Sequence, residues 1–410
     1  MKVAIIGAGA AGFFTAINLK RFSPKLEVTI YESSPKVLSK VAVSGGGRCN
    51  LTNSFEGFRA PLSKVYPRGA KLVKAAFRKL NHTQTYDWFE TEGIKLVTQP
   101  DNCVFPASQD SGEIIEMFIR RTRELDITVK TQHKVKLIEK TDNHYTISFD
   151  KGVSSIKSDI VVVTVGGKPQ MSGFEMLRCL PVEIIEPMPS LFSLNIDHNP
   201  ITELSGAVVE KAIVGLQGTK LRTQGALLIT HWGVSGPTVL KLSSYAARTL
   251  CESDYKCTIL INWVGSTDED KIIEDIKAIS SNNSKKFVTS TPPYDLSSRV
   301  WAHILYKAEI PHERRWAEIG SKGFNRIIAT LIGDHYAVSG KSTHKEEFVT
   351  AGGVDISSLD FDTLEAKKSE NLYFAGEVID IDAITGGFNL QAAWSTGFAV
   401  AKAISEKTNN

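Results

Sequence analysis

The chain has 410 residues, of which 42% are hydrophobic and 23% charged, and its 48 Lys and Arg nearly balance 45 Asp and Glu. Such a length calls for two or three folded units, and a net charge of +3 leaves no overall electrostatic footprint for nucleic acid or an anionic membrane. The five cysteines form no C-x-x-C pair and no metal-like spacing, which excludes a zinc ribbon or a disulfide scaffold and points to reduced thiols in a cytoplasmic protein.

An apolar run, Val3–Ile6, enters Gly7-Ala8-Gly9-Ala10-Ala11-Gly12 and is followed by apolar positions at Phe13, Ala16, Ile17 and Leu19. This pattern predicts strand, tight turn and helix. The first glycine permits the turn, the second lets backbone amides approach a pyrophosphate, and the third lets helix and strand pack closely. A second apolar run, Leu26–Tyr31, ends at Glu32 and Ser33, twenty residues beyond Gly12, where an acid binds the ribose hydroxyls of a dinucleotide. Val3 to Asn18 carries no charge, yet its glycine spacing argues against a signal peptide.

The next informative stretch is Lys40 followed by Ser44-Gly45-Gly46-Gly47-Arg48-Cys49-Asn50, with Thr52 and Asn53 beyond. Consecutive glycines expose backbone N–H groups among hydroxyl, amide and guanidinium donors, as a second contact to phosphate or flavin needs. Cys49 beside Arg48 is either a thiol of lowered pKa that acts on the flavin or a residue of packing or cofactor contact. Apolar spacing predicts a helix or helix pair over 71–92 and a helix over 111–125, with a short turn at Val104–Ser108 between them. Strands are predicted at 127–130, 135–140, 145–149 and 160–164. The last ends in Thr164-Val-Gly166-Gly167, another point of close approach to a cofactor. The glycines from Gly166 to Gly173 have the wrong spacing for a second dinucleotide site, so no dedicated nicotinamide domain is expected.

Prolines 181, 187 and 189 mark the crossing into a β-rich unit with strands near 191–196, 207–216, 226–230 and 258–264. A solvent-facing helix and loop over 266–290 and a helix over 297–310 complete it. Within it, Thr230-His231-Trp232-Gly233 is a polar turn whose His231 is a candidate proton donor or acceptor. The last sixty residues return to cofactor chemistry: Asn371–Ala375 delivers Gly376 and Glu377, and Thr385-Gly386-Gly387-Phe388-Asn389-Leu390-Gln391 opens a helix whose free N–H groups can face an anionic ring.

Together, Gly7-x-Gly9-x-x-Gly12, Ser44-Gly-Gly-Gly-Arg-Cys-Asn-Leu-Thr-Asn53, Thr230-His-Trp-Gly-Val-Ser-Gly-Pro237 and Gly376-Glu377 with Thr385–Gln391 resemble the YhiN/BaiN-like FAD-dependent flavoproteins, from Met1 to about Ile404. The resemblance implies an α/β fold: a Rossmann-type FAD-binding domain split in sequence (1–188 and 346–410), an inserted β-barrel-like domain (189–265 and 322–345) and a small helical subdomain (266–321). It implies that Gly7, Gly9, Ala10, Ala11 and Gly12 hold the pyrophosphate and Glu32 and Ser33 the adenosine ribose, with Val135 meeting the adenine through its backbone. Lys40, Ser44, Gly45, Gly46, Gly47, Arg48, Cys49 and Asn50 then form the adjoining cofactor loop, with Thr164 and Gly166 nearby. Gly376 and Glu377 fall at the ribityl chain, and Gly387, Asn389 and Leu390 at the flavin. Ala383 and Phe388 stand where the family usually has glycine and tyrosine, so a mechanism needing that phenol is in doubt here.

The expected function is that of a cytoplasmic FAD-dependent oxidoreductase acting on a small organic molecule, with hydride passing through flavin N5, NADH or NADPH as transient reductant and an activated C=C bond as acceptor. Alternatives are a flavin amine oxidase releasing peroxide, a tRNA-modifying flavoprotein and a redox sensor. No metal, nucleic-acid partner or membrane is expected, and the oligomeric state is open.

Overall fold

The computed structural model describes residues 1–150, 152–342 and 349–409. They divide into two compact units, Met1–Pro189 with Val349–Asn410, and Ser190–Phe348. The expected boundary at 345/346 lies outside the described residues.

The first unit is built on a five-stranded parallel sheet of β1 (Lys2–Ile6), β2 (Glu27–Tyr31), β3 (Thr128–Lys130), β4 (Ile160–Val163) and β5 (Leu372–Phe374). Their order across the sheet is β5-β4-β1-β2-β3. The chain therefore builds outward from β1 in one direction and later from β4 in the other, and sheets of this kind bind ligands beyond the carboxyl ends where the direction reverses. Burial on both faces explains the unbroken apolar run of β4, whose four residues are all buried. Helix α1 (Ala10–Phe22) follows β1, and packs on the C-terminal helix, Phe388–Asn409.

The predicted helices at 71–92 form as a pair, α2 (Ala70–Phe77) and α3 (His82–Thr91), the second closed by a capping box between Asn81 and Gln84. Helix α4 spans Ser111–Glu124, with the Asp110 side chain accepting the Gly112 amide at 2.9 Å. One local reading is corrected. Cys103–Pro106 is a fully buried strand, pairing with Thr52–Asn53 and with Leu96–Thr98, rather than a turn. Pro106 sits at its last position, where a missing N–H costs the ladder nothing.

In the second unit a seven-stranded antiparallel sheet runs Asp334–Val338, Cys257–Asn262, Val208–Leu216, Arg222–Thr230, Gly233–Ser235, Leu194–Asn195 and Gly340–Lys341. The stretch 334–341 pairs with Cys257–Asn262 through its first half and with Leu194–Asn195 through its second, closing both edges into a barrel-like form. Helices Glu269–Asn282, Ser298–Lys307 and Gly320–Gly333 bury Ile272, Ile276, Trp301, Ile304, Ile327 and Leu331 in the same core as Val214, Leu227 and Ile259 of the strands. The expected boundary at 321/322 falls inside the helix Gly320–Gly333. Helices Pro237–Tyr245 and Ala247–Glu252 are additional to the sequence reading.

That core contains a buried polar group. The Asp334 carboxylate pairs with Lys307 and accepts from Trp263 Nε1 at 3.1 Å and from the Tyr336 hydroxyl. His303 Nε2 lies 2.8 Å from the same hydroxyl. Burial lowers the His303 pKa, and Lys307 lowers it further, against the opposing fields of Asp334 and Glu203. Because the unfolded chain then binds the proton more readily, stability is complete at neutral pH and declines as pH falls below about 6.5. Denaturant unfolding at a series of pH values is expected to show that decline in the native protein, and to show it reduced in His303→Gln, which keeps a hydrogen-bonding group without the titration.

Candidate functional site

The polypeptide accounts for two of the three opening glycines and leaves the middle one unexplained. A Cβ on Gly7, whose φ is +112°, would lie 2.5 Å from the Thr164 carbonyl oxygen. On Gly12 it would drive into the Gly7 carbonyl oxygen and approach Thr164 Oγ1 to 2.8 Å. Gly9 has an ordinary extended backbone, φ −95° and ψ −168°, and a Cβ there would meet nothing within 4 Å. Neither conformation nor packing requires glycine at 9, so the open space above it fits a group that must come close, as a pyrophosphate does. Gly9 is also the N-cap of α1, which has no side-chain cap and no acid in its first turn. The positive end of a helix of 13 residues is left to an anion from outside the chain.

Around this turn, Thr164 ties β4 to β1 by donating its hydroxyl to the carbonyls of Ile6 and Gly7 at 3.1 and 2.9 Å. Glu32, at the end of β2, accepts from the amides of Ala8 and Ser34 at 2.9 and 2.8 Å and from the Ser33 hydroxyl at 3.0 Å. Burial alone would raise its pKa, but these hydrogen bonds outweigh it and hold the carboxyl below its usual value. Glu32 is thus a fixed anion with lone pairs to spare for hydroxyl donors. Ser33 holds Glu32, and Val135, buried at the start of its strand, lies at a register shift between that strand and His144–Phe149.

The glycine-rich stretch is part of a helical segment, Ser39–Gly47, broken at Ser44, Gly45 and Gly46, with Gly45, Gly46 and Gly47 all at positive φ. Arg48 lies over the Phe105 ring at 4.3 Å and bonds Gln109 Oε1 at 3.3 Å, so it anchors this loop to the buried strand. Cys49 is fully buried and burial pushes its thiol up to about 12. Both features favour a packing or cofactor-contact role for Cys49 over an activated thiol. Ser44 donates to the Val41 carbonyl at 2.9 Å, and Asn50 in its hydrogen-bonding orientation accepts the Gly387 amide at 3.1 Å.

Lys40 joins this loop to Glu377 at 2.7 Å, and the other Glu377 oxygen accepts the Thr350 amide at 2.8 Å. Glu377 lies over Gly167, where a Cβ would come within 2.8 Å of its carboxyl carbon. Gly376 has φ +78° and faces Ala11, so β5 and α1 meet through small residues. One residue that the sequence reading passed over belongs here. Burial lowers the pKa of Lys168, with Glu32 and Glu377 opposing that and Lys40 and Lys134 adding to it. Its ammonium therefore lies within the fields of the acids at the ends of β2 and β5.

The C-terminal helix begins after Gly386 and Gly387, with no acid in its first turn. Asn389 spends its side chain on Ala383, accepting its amide at 2.9 Å and donating to its carbonyl at 3.1 Å, which leaves backbone rather than side chain to face a ligand. Leu390 is half-buried beside it. The preceding loop is held by Arg68, whose guanidinium forms a two-pronged ion pair with the fully buried Asp382. Tyr66 donates to the Phe388 carbonyl at 2.9 Å, and the Phe388 ring meets Phe55 at 5.2 Å. Separately, in the second unit, the Thr230 hydroxyl accepts the Gly233 amide at 3.1 Å and shapes the turn, leaving His231 exposed with its ring 4.3 Å from that of Trp232.

A family model described as HI0933-like protein Rossmann domain matches residues 1–403. The chain belongs to the HI0933-like family. Its members are FAD-dependent oxidoreductases. A 3-dehydro-bile acid delta(4,6)-reductase of Clostridium scindens is 24% identical, covering 99% of each chain. A ribosomal RNA dihydrouridine synthase of Escherichia coli is 27% identical, covering 97% of this chain and 96% of the relative. Among solved structures, the 3-ketosteroid-delta4-(5alpha)-dehydrogenase of Rhodococcus jostii RHA1 superposes with a TM-score of 0.50 at 12% identity, over 98% of this chain and 96% of that one, which is a likeness of fold. Among the described residues no helix is long and apolar enough to cross a membrane, and no group of His, Cys, Asp and Glu could hold a metal ion.

Proposed function

We propose that the chain reduces a C=C bond conjugated to a carbonyl, with NADH or NADPH as a reductant that visits and leaves. The observation that carries the FAD part is the vacant approach over Gly9 at an uncapped helix start, in line with Glu32. The bond class is supported by the two relatives: a bile-acid Δ4,6 reduction and the conversion of uridine to dihydrouridine both saturate a carbonyl-conjugated C=C bond. A small cyclic enone is the simplest substrate of that class.

Bound FAD supplies hydride transfer from NAD(P)H to the β-carbon of the substrate. The amides at the start of α1 bind the pyrophosphate, with Gly9 giving them access, and Glu32 orients the adenosine ribose. Gly376 and Glu377 meet the ribityl chain. The amides following Gly387 present the positive end of the C-terminal helix to the electron-rich edge of the ring. A proton must reach the α-carbon, and His231 is the candidate donor. A cytoplasmic location, where NADH and NADPH are supplied and thiols stay free, is part of this reading.

The test is anaerobic stopped-flow reduction of the FAD-loaded protein with NADH and with NADPH, followed by mixing with a cyclic enone. Reoxidation of the flavin with a product two mass units heavier supports the reading. Peroxide release with an amine, and no reoxidation by the enone, would overturn it. His231→Gln is expected to slow the enone step and to remove an ionisation from its pH profile.

A further inference from the structure

Two helices of the second unit, α5 (Glu269–Asn282) and α6 (Gly320–Gly333), each send one stripe into the core, Ile272 and Ile276 from the first and Ile327 and Leu331 from the second. A further stripe of each lines an open groove of about 910 Å³ between them. Ile273 comes from α5, Phe324 and Ile332 from α6, and Ile319 from the residue just ahead of α6. All four are only partly buried, although they pack against the core on one side. Covering that surface would withdraw it from water at a gain, and contiguous apolar surface of this kind marks a place where something docks.

The charges of α5 indicate what covers it. Glu269, Ile273 and Lys277 follow one another at four-residue steps along the groove wall, so they share one face of the helix. Among the described residues neither the Glu269 carboxylate nor the Lys277 ammonium has an ion-pair partner. The acid and the base flank Ile273 at equal spacing, about 6 Å along the axis on either side. A ligand of one sign would therefore meet its own charge at one end of this ridge. A second α5 turned end for end about Ile273 meets opposite charge at both ends: the partner's Lys277 falls against Glu269, and the partner's Glu269 against Lys277. Residue i then meets j while j meets i, which is the condition for a two-fold interface.

We propose that this groove is the contact surface between two copies of the chain, packed about a two-fold axis beside Ile273. The apolar side chains of the groove form its centre, and two symmetry-related Glu269–Lys277 pairs set its register.

The experiment is sedimentation velocity of the FAD-loaded full chain over a concentration series, for the native protein, E269K, K277E and the charge swap E269K/K277E, with circular dichroism to show that each is folded. The native chain is expected to sediment as a dimer that dissociates on dilution. Either single reversal turns both pairs from attraction to repulsion and should weaken the dimer roughly tenfold. The charge swap restores both pairs and should return the affinity to within about threefold of native. An equimolar mixture of E269K and K277E should associate more tightly than either alone, because the first then presents two bases to two acids of the second. Ala329, exposed on the α6 wall of the groove, gives a test independent of the α5 charges and of any cost of E269K to its helix: A329D should weaken the dimer by burying a carboxylate in the contact. A native chain that stays monomeric throughout the series, a dimer unaffected by K277E and A329D, or a charge swap as weak as the single reversals overturns the proposal.

Discussion

Gly12→Ala is expected to leave the purified protein colourless and to destabilise its apo form, whereas Gly9→Ala should weaken FAD binding and leave apo stability nearly unchanged. The contrast follows from where each new methyl would go. At Gly12 it meets the Gly7 carbonyl oxygen, a backbone atom of the β1–α1 turn, and Thr164 Oγ1, which itself holds that turn to β4. Neither neighbour can swing aside as a long side chain could, so the cost falls at or above the upper end of the roughly 1–3 kcal/mol typical of overpacking. At Gly9 the methyl enters open space from an extended backbone that any residue adopts. It harms only what approaches from outside. Thermal unfolding of both apoproteins, with visible absorbance after reconstitution, separates the two effects. Equal loss of apo stability in both variants, or full FAD occupancy in Gly9→Ala, would remove the case for a pyrophosphate at this turn.

The same contrast shows what can be read in a sequence and what cannot. The Gly7, Gly9, Gly12 and Glu32 positions are legible because their spacing is local, set by one strand, one turn and one helix. The double glycine before Phe388 is legible for the same reason. Arg68 and Asp382 are not, because residues 314 apart in the chain meet through a loop that no periodicity describes. Lys168 is not legible either, because it lies in a glycine-rich segment that fails the dinucleotide spacing test and only the fields of Glu32 and Glu377, acids remote in sequence, mark it out. The helices at Pro237–Tyr245 and Ala247–Glu252 escaped because Pro237 at the first turn reads as a breaker, although that position tolerates it. Cys103–Pro106 escaped because a proline at the end of a four-residue apolar run looks like a turn. For Arg48 and Cys49, adjacency suggested an electrostatic partnership. In the fold their side chains separate, the guanidinium onto Phe105 and the thiol into the core.

Asp382→Ala should be the most damaging single change outside the glycine turn. Asp382 is fully buried, the Arg68 side chain is only 11% exposed, and the two meet through paired contacts, Nε with Oδ1 and a terminal nitrogen with Oδ2. Removing the carboxylate leaves a guanidinium that can neither deprotonate nor easily reach water, and breaking a buried pair in this way costs about 3–5 kcal/mol. The pair is also what pins residues 65–69 to the loop ahead of the C-terminal helix, so the loss should spread to the Tyr66–Phe388 bond and to the backbone amides after Gly387. Weaker FAD retention should therefore accompany the lower unfolding temperature. Replacing both members by apolar residues, R68M/D382L, tests whether charge or position matters. If the pair's contribution is mainly the avoidance of an unpaired charge, the double variant recovers most of the stability lost in Asp382→Ala, because desolvation of both ions is removed together. Should the double variant be as unstable as the single one, the geometry of the pair rather than its charge holds the loop, and the amides facing the cofactor depend on that hydrogen-bonded fork.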